Sequence, residues 1–557
     1  MDVVLVGLPG SGKSVVGKRV AARRDAHFVD LDAEIERASG TTIAELFAGE
    51  GEAGFRARER AAIDALGPPD GSPRVRRVVA TGGGALVDPR NRWALLRGRR
   101  SVWLDVRPEV AAQRLRNSRH VRPLVAASSD PVGAVRALRT ARERFYAAAE
   151  LRITSVADPV RVAAAIERAL VEDPGAPTGT TLLRARTPIG AFAVGERTAA
   201  DELRAVLDEL GARRAILVSE PGAWTAAGAG IAERLRDAGR EVATVMLPQG
   251  EPAKRLSVVE DAARELVGLR ADRGEPLVAI GGGALGDAVG FLAAIWLRGV
   301  PVVQVPTTLV AQIDSAIGGK TAVDLPEGKN LLGAFHQPTA VVVDVAILAS
   351  LPDRERRAAL GEAVKMAVLG DDRLFVLLES DGPQIAAGAS TSSASGALAE
   401  VVERCLWAKV EVVVDDERET GGGPAAGAGR LALNLGHTVG HGLEAAAGFR
   451  DLRHGEAVAY GLRAACRIGA ALDVTPAARA DRVESLLDEL RLAVTPLALD
   501  RSVVRTAMGA DKKHAAGRLR WILPTAEGVV VRTDVPDDLV DAVIDSVGAG
   551  RSTPVPA

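Results

Sequence analysis

Eight residues near the start of the chain, Gly7-Leu-Pro-Gly-Ser-Gly-Lys-Ser14, restrict the possible folds more than any other stretch. They follow Val3–Val6, which reads as a buried strand, and precede a helical pattern through Arg23. Glycine lets successive backbone N–H groups curl around an anion, and the N-terminus of the following helix adds a favourable field. With a strand before and a helix after, the G-x-x-x-x-G-K-[ST] spacing is that of a phosphate-binding loop in a parallel α/β domain. Gly10 and Gly12 would shape the loop, Lys13 would reach the β/γ-phosphates, and the Ser14 hydroxyl would ligate Mg²⁺. ATP and Mg²⁺ are therefore expected. The competing reading, a glycine turn beside a chance lysine, does not account for the flanking strand and helix.

That motif describes only a small part of 557 residues, a length that calls for three or four domains. The formal net charge of −2 argues against a general nucleic-acid binder, which carries a basic excess. No apolar run approaches the ~18 residues of a membrane span. The start, Met-Asp running straight into a strand, shows no leader pattern, so the cytoplasm is expected. Two cysteines, Cys405 and Cys466, exclude a disulfide framework and read as core residues.

Strand and helix patterns alternate twice along the chain. In the first round, strands are expected at 3–6, 27–29, 78–80 and 101–104, closing with a helix over 158–171. A Pro/Gly-rich stretch, 172–180, separates the halves as a linker. The second round brings strands at 215–218, 242–246, 277–280, 300–305 and 340–343, interleaved with helices over 231–238 and 256–269. Beyond about Asp344 helical periodicity takes over, with candidates at 360–369, 395–414, 433–446, 455–472 and 480–490. The expected domains are 1–171, 181–345 and 346–548, with a disordered tail over 549–557. Residues 381–396 and 421–429, low in complexity, read as loops.

Three features narrow the first domain. Asp30-Leu-Asp32 ends the second strand at the edge where the phosphate loop lies, so one carboxylate could serve magnesium and the other accept a hydroxyl proton. Arg56 lies in Phe55-Arg-Ala-Arg-Glu59, a helical stretch from which a guanidinium could fork onto a carboxylate. Gly82, Gly83 and Gly84 follow the third strand and let a ligand approach bare backbone. In this order they resemble shikimate kinase over about residues 1–170. The resemblance implies Asp32, Arg56, Gly82, Gly83, Gly84 and Arg142 for shikimate, with Asp32 as base. It implies Gly10, Gly12, Lys13, Ser14 and Asp30 for ATP and magnesium. Arg122, in Val121-Arg-Pro-Leu124, matches a lid arginine, and Arg116 a residue near the adenine. A gluconate or nucleotide kinase is the rival, and neither predicts Arg56 together with the triple glycine.

In the second half, Gly281-Gly-Gly-Ala-Leu-Gly286 fits a dinucleotide fingerprint, but lies on a late strand with no acidic residue about twenty positions on. Asp287, Thr307, Thr308, Asp314, Lys320, Lys329 and Asn330 follow within mostly loop-like sequence, a set suited to a hydroxylated, phosphorylated anion. His437 and His441 stand at i, i+4, a zinc-pair spacing, and His454 adds a third imidazole; core histidines are an equal alternative.

The ordered series Gly250-Glu-Pro-Ala-Lys254, the glycine run to Asp287, Arg298-Gly299, Asp314 to Lys320, Gly361-Glu-Ala-Val-Lys365, Asp416-Glu-Arg-Glu419, Asn434-Leu-Gly-His437 and His454-Gly-Glu456 resembles 3-dehydroquinate synthase over about 181–548. The resemblance implies an α/β NAD-binding domain followed by an all-helical metal-binding domain. It moves zinc (or cobalt) onto Glu362, His437 and His454, and His441 toward the substrate as a catalytic group with Lys320. NAD⁺ would meet Glu220, Glu251, Lys254, Gly283, Asp287, Thr307, Thr308 and Lys329. The substrate, 3-deoxy-arabino-heptulosonate 7-phosphate, would meet Asp314, Lys320, Asn330, Lys365, Lys409, Arg430, Asn434, His441 and Lys512. Arg298 would act across a homodimer interface. The family's chemistry runs through transient oxidation, phosphate elimination, hydride return, ring opening and aldol closure.

The reading is thus a fusion of two enzymes of aromatic biosynthesis. Its rivals for the second half are another sugar-phosphate cyclase or a metal-dependent polyol dehydrogenase, and for either half an inactive regulatory module.

Overall fold

A computed structural model describes residues 2–67, 75–117, 128, 130–155, 158–172, 179–388, 392–419, 428–448, 451–495, 497, 500–510, 514–515 and 518–548. By internal contacts the chain divides into two compact units, 1–185 with 192–198, and 186–191 with 199–557.

The first unit is built on five strands, β1 (Asp2–Val6), β2 (His27–Asp30), β3 (Arg77–Ala80), β4 (Arg100–Asp105) and β5 (Leu151–Thr154). Their order is β2-β3-β1-β4-β5, every neighbour parallel. The apolar run of β1 is buried throughout, as a central strand covered on both faces requires. Val3, Leu5, Val102 and Leu104 pack with Val16 and Val20 of helix Lys13–Arg24 and Ile166 of helix Pro159–Glu172. Because β3 and β4 flank β1 on opposite sides, the chain reverses direction of winding beside β1. Loops at the strand C-termini open a crevice at such a switch point, where open α/β sheets bind ligands.

Two strands, β6 (Thr180–Thr187) and β7 (Gly190–Glu196), are divided between the units, and the Ala191 N–H donates to the Thr339 carbonyl. The second unit continues with β8 (Arg214–Ser219), β9 (Glu241–Met246), β10 (Leu277–Gly281) and β11 (Val302–Pro306). After β12 (Lys320–Leu325) and β13 (Gly328–Phe335) comes β14 (Ala340–Asp344), and the order β14-β11-β10-β8-β9 is parallel throughout. Its switch point falls between β8 and β10. The glycine run after β10, late in the sequence, therefore still sits at a ligand crevice.

β12 and β13 form an antiparallel hairpin where mostly loop was expected. Helices then dominate: Asp353–Val368, Asp372–Ala386, Ser392–Asp415, His437–Ala446, His454–Ala471 and Ala477–Glu489, with a hairpin of Trp521–Thr525 and Gly528–Arg532 among them. The loop expected over 381–396 is helical at 381–386 and again from 392, because Ile385 and Ala386 are buried against the neighbouring elements. Tertiary burial overrides low local complexity here. Most of the loop expected over 421–429 and the 549–557 tail lie outside the described residues.

Candidate active sites

In the first unit, Gly10 and Gly12 adopt positive φ, and a Cβ at Gly10 would lie 2.6 Å from the Ala111 carbonyl. The loop can hold its curve only with glycine there. The Lys13 ammonium donates to the Gly7 and Leu8 carbonyls at 2.8 and 2.9 Å, and Ser14 follows it in the first helical turn.

Across the crevice, Gly82–Gly84 leave β3. A Cβ at Gly82 would lie 2.7 Å from Glu59 Oε1 and 3.1 Å from Asp32 Oδ1. One at Gly84 would lie 2.6 Å from the Arg56 guanidinium, and one at Gly83 2.6 Å from Pro9 of the phosphate loop. The missing side chains are thus the space into which Asp32, Arg56 and Glu59 project. Arg56 donates to Glu59 at 2.7 Å and to Glu52 at 2.9 Å. Arg142 and Tyr146 both donate to the Gly83 carbonyl, the former at 3.0 Å. Burial pushes the Tyr146 hydroxyl up to about 12, so it stays a donor. Burial also raises the Glu59 carboxyl, against the pull of Arg56.

Glu59, 1% exposed, was not among the expected site residues, although its place one turn from Arg56 is a readable signal. Asp30 ends β2, while Asp32 lies in the first turn of helix Leu31–Ser39. Arg116 is exposed at its helix end, and it is Arg114 that faces the phosphate loop, 3.4 Å from the Gly10 carbonyl. Arg122 lies outside the described residues.

In the second unit, Glu220 directly follows β8 and spans the switch point, its carboxylate accepting from the Gly250 N–H at 2.6 Å and the Gly282 N–H at 3.3 Å. A Cβ at Gly283 would meet Ser315 Oγ at 2.7 Å. Thr307 donates its N–H to the Gly281 carbonyl, and the Thr308 hydroxyl accepts from the Ala311 N–H. Lys254 holds Asp287 at 2.7 Å and Asn330, while Lys329 pairs with Glu251 at 3.0 Å. Burial raises Asp287 despite its lysine. Asn330 takes φ 56°, its N–H donating to Asp324.

Deeper in, Asp314 receives Lys409 at 2.9 Å and Lys365 at 3.7 Å, and Lys365 also pairs with Glu362. Lys320 and Asn434 both hold Glu419, at 2.6 and 3.0 Å. Glu419 thus joins two of the expected site residues; it is present in the quoted Asp416–Glu419 stretch but assigned no role from the sequence. Arg430 is buried, with its guanidinium donating to the Gly318 carbonyl at 2.8 Å and the Glu417 carbonyl. Arg298 is exposed beyond helix Gly283–Ile295, without a described hydrogen bond to this cluster. Lys512 lies outside the described residues.

Glu362 is fully buried, with His454 Nε2 3.1 Å and His437 Nε2 3.5 Å from its Oε1. These three residues bring ligand atoms within 4.8 Å of one another, whereas His441 groups with Glu444 and His454. Burial opposes the charged forms. Even so, Lys365 and His454 keep the Glu362 carboxyl well below the usual range, and Glu362 and Glu444 lift His454 to about 10. A buried carboxylate whose oxygens accept no hydrogen bond of good geometry, facing two imidazole nitrogens, is the donor set of a divalent zinc-type ion.

These features define a P-loop phosphotransferase followed by an α/β enzyme with a dinucleotide crevice and a carboxylate–imidazole metal cluster. Among known families, shikimate kinase matches residues 9–170, the N-terminal part of 3-dehydroquinate synthase matches 244–358, and its C-terminal part 359–514. The 3-dehydroquinate synthase of Gloeobacter violaceus is 43% identical over 352 residues, covering 62% of this chain and 93% of that one. That of Thermosynechococcus vestitus is 44% identical over 315 residues, covering 56% and 83%. The solved 2-epi-5-epi-valiolone synthase of Streptomyces hygroscopicus, with NAD⁺ and Zn²⁺ bound, is 27% identical with a TM-score of 0.57, covering 64% of this chain and 96% of its own. A 2-deoxy-scyllo-inosose synthase complexed with carbaglucose-6-phosphate, NAD⁺ and Co²⁺ is 26% identical with a TM-score of 0.56, covering 66% and 99%. The chain belongs to the 3-dehydroquinate synthase family and carries a shikimate kinase domain ahead of the synthase.

Proposed function

We propose that the first unit phosphorylates shikimate from ATP and the second converts 3-deoxy-arabino-heptulosonate 7-phosphate to 3-dehydroquinate with release of phosphate. The observation that carries the kinase half is the convergence of Asp32, Arg56 and Glu59 on Gly82–Gly84, opposite the phosphate loop. In this reading Arg56 and Arg142 hold the acceptor's carboxylate, Asp32 takes the hydroxyl proton, and Lys13 and Ser14 meet phosphate and magnesium. Arg114 is proposed for the nucleotide side in place of Arg116, supported by its contact with the loop carbonyls.

For the synthase half, the Glu362–His437–His454 trio beside Lys365 and Asp314 carries the reading. When bound, NAD⁺ supplies a hydride acceptor and the metal ion a Lewis acid. The residues around them orient and neutralise. Glu220, Gly283, Asp287, Thr307 and Thr308 line the crevice proposed for NAD⁺, with Glu251, Lys254 and Lys329 at its rim. Lys320, Asn330, Lys365, Lys409, Asn434 and His441 hold the substrate's phosphate and hydroxyls, and the buried ammonium of Lys365 steadies charge next to Glu362. Arg430 positions the Gly318 turn from behind, a reading supported by its two carbonyl contacts. A homodimer in which Arg298 serves a neighbouring copy is proposed on its exposure and its φ of 68°. The proposed compartment is the cytoplasm, in keeping with two free, buried thiols.

Identity separates this synthase from its relatives: 43% to a 3-dehydroquinate synthase against 27% and 26% to the other two cyclases. The test supplies purified chain with NAD⁺, zinc and either the heptulosonate phosphate or glucose 6-phosphate, and separately with ATP and either shikimate or gluconate. Phosphate release from the heptulosonate alone and ADP formation with shikimate alone are expected. The reverse preference in either assay would overturn that half.

A further inference from the structure

Helix His437–Ala446 carries His437, His441 and Glu444 at i, i+4 and i+7, so all three share one face. The next helix begins at His454, whose ring is held from both sides. Its Nε2 lies 3.1 Å from Glu362 Oε1, and its Nδ1 lies 3.3 and 3.2 Å from the two Glu444 oxygens. Glu444 is buried, so its carboxylate needs a partner within the protein.

A neutral imidazole carries one N–H, and the ring nitrogen that donates it cannot ligate. With Nδ1–H directed at Glu444, the Nε2 lone pair is left toward Glu362 and His437. We propose that Glu444 is the positioning residue of the metal centre: it accepts from His454 Nδ1–H, fixing the tautomer and ring orientation in which Nε2 serves the ion. This rests on the reading that Glu362, His437 and His454 hold the metal. Among the described hydrogen bonds, Glu444 meets Nδ1 of His454 and not the Nε2 turned to Glu362, as carboxylates behind metal-bound histidines do. His441, Glu444 and His454 also approach closely enough to hold a cation of their own. That arrangement would need both nitrogens of His454 on metal ions, hence a doubly deprotonated ring, and the hydrogen bond needs nothing unusual.

Full-length chain, Glu444→Gln and Glu444→Ala are stripped of metal, and zinc affinity is measured by competition with a chromophoric chelator. The cobalt(II) visible spectrum and the melting of zinc-free protein are recorded in parallel. Zinc affinity is expected to fall about 10–100-fold in Glu444→Ala and by less in Glu444→Gln, whose amide oxygen still accepts. The cobalt bands should shift in both variants, and zinc-free melting, which reads the lost Glu444–His454 contact by itself, should fall in Glu444→Ala. Glu444→Gln keeps the test open where the alanine variant does not fold. Unchanged affinity and cobalt spectrum would overturn the proposal. So would a second zinc equivalent on the wild type that the variants lose while the first stays tight. His437→Ala separates the two readings: if it binds zinc like the wild type, the ligand set itself is wrong. If it loses zinc while both Glu444 variants keep it, only the role of Glu444 fails.

Discussion

Beside β1 and β3, polar side chains converge on bare backbone: Asp32, Arg56 and Glu59 fill the space that side chains at Gly82 and Gly84 would take. In the second unit, charged side chains converge on one another instead. Lys254 sits on Asp287, Lys365 on Glu362 and Asp314, Lys409 on Asp314, Lys320 on Glu419 and Lys329 on Glu251. A phosphoryl transfer site mainly has to position two partners, and glycine backbone does that with little charge to bury. A site that handles one substrate through several successive steps needs cations at several points, and each buried cation needs a carboxylate beside it. A phosphorylated substrate would then exchange partners with these carboxylates rather than fill a free positive pocket.

The contrast is sharpest where a buried pair is broken. Lys365→Met leaves Glu362 and Asp314 without their shared ammonium, at a cost of about 3–5 kcal/mol. Thermal or urea unfolding of the second unit should show that loss, with the kinase assay unaffected. Breaking the other site requires only a methyl group. Gly84→Ala would press on the Arg56 guanidinium and should lower kinase kcat/KM about 100-fold through misplacement, with synthase turnover and melting nearly unchanged. Glu419→Gln should lower synthase kcat/KM about tenfold by loosening Lys320 and Asn434, visible in steady-state kinetics as a raised KM. The smallest effect is expected at the thiols. Burial pushes the Cys466 thiol up to about 12 and Cys405 higher still. Native protein should therefore take up no aromatic disulfide reagent at neutral pH, and unfolded protein two equivalents.

Local chemistry made the first site legible. A strand, a glycine turn and a helix act within one short stretch, so Gly7–Ser14 and Gly82–Gly84 could be read directly. Helix phase was harder. Arg114 and Arg116 are two residues apart, hence on nearly opposite faces of their helix, and only packing decides which one meets the phosphate loop. The hairpin β12–β13 hid behind Gly, Lys and Asn, residues of low strand propensity, although its pairing is local, with Leu325 opposite Gly328. Glu444 shared its helix face with His437 and His441 in plain sight. Its role is not written in that face, because its partner, His454, starts a different helix, and a contact between elements leaves no periodicity.

The central claim is that one chain carries two separate chemistries at two separately built sites. It is tested most directly by measuring shikimate-dependent ADP formation and heptulosonate-dependent phosphate release on the same preparations of wild type, Lys13→Ala and His437→Ala. Lys13→Ala should lose about 10²–10³ of the kinase rate and keep the synthase, and His437→Ala should do the opposite. Loss of both activities from either single change, or loss of neither, would contradict the account.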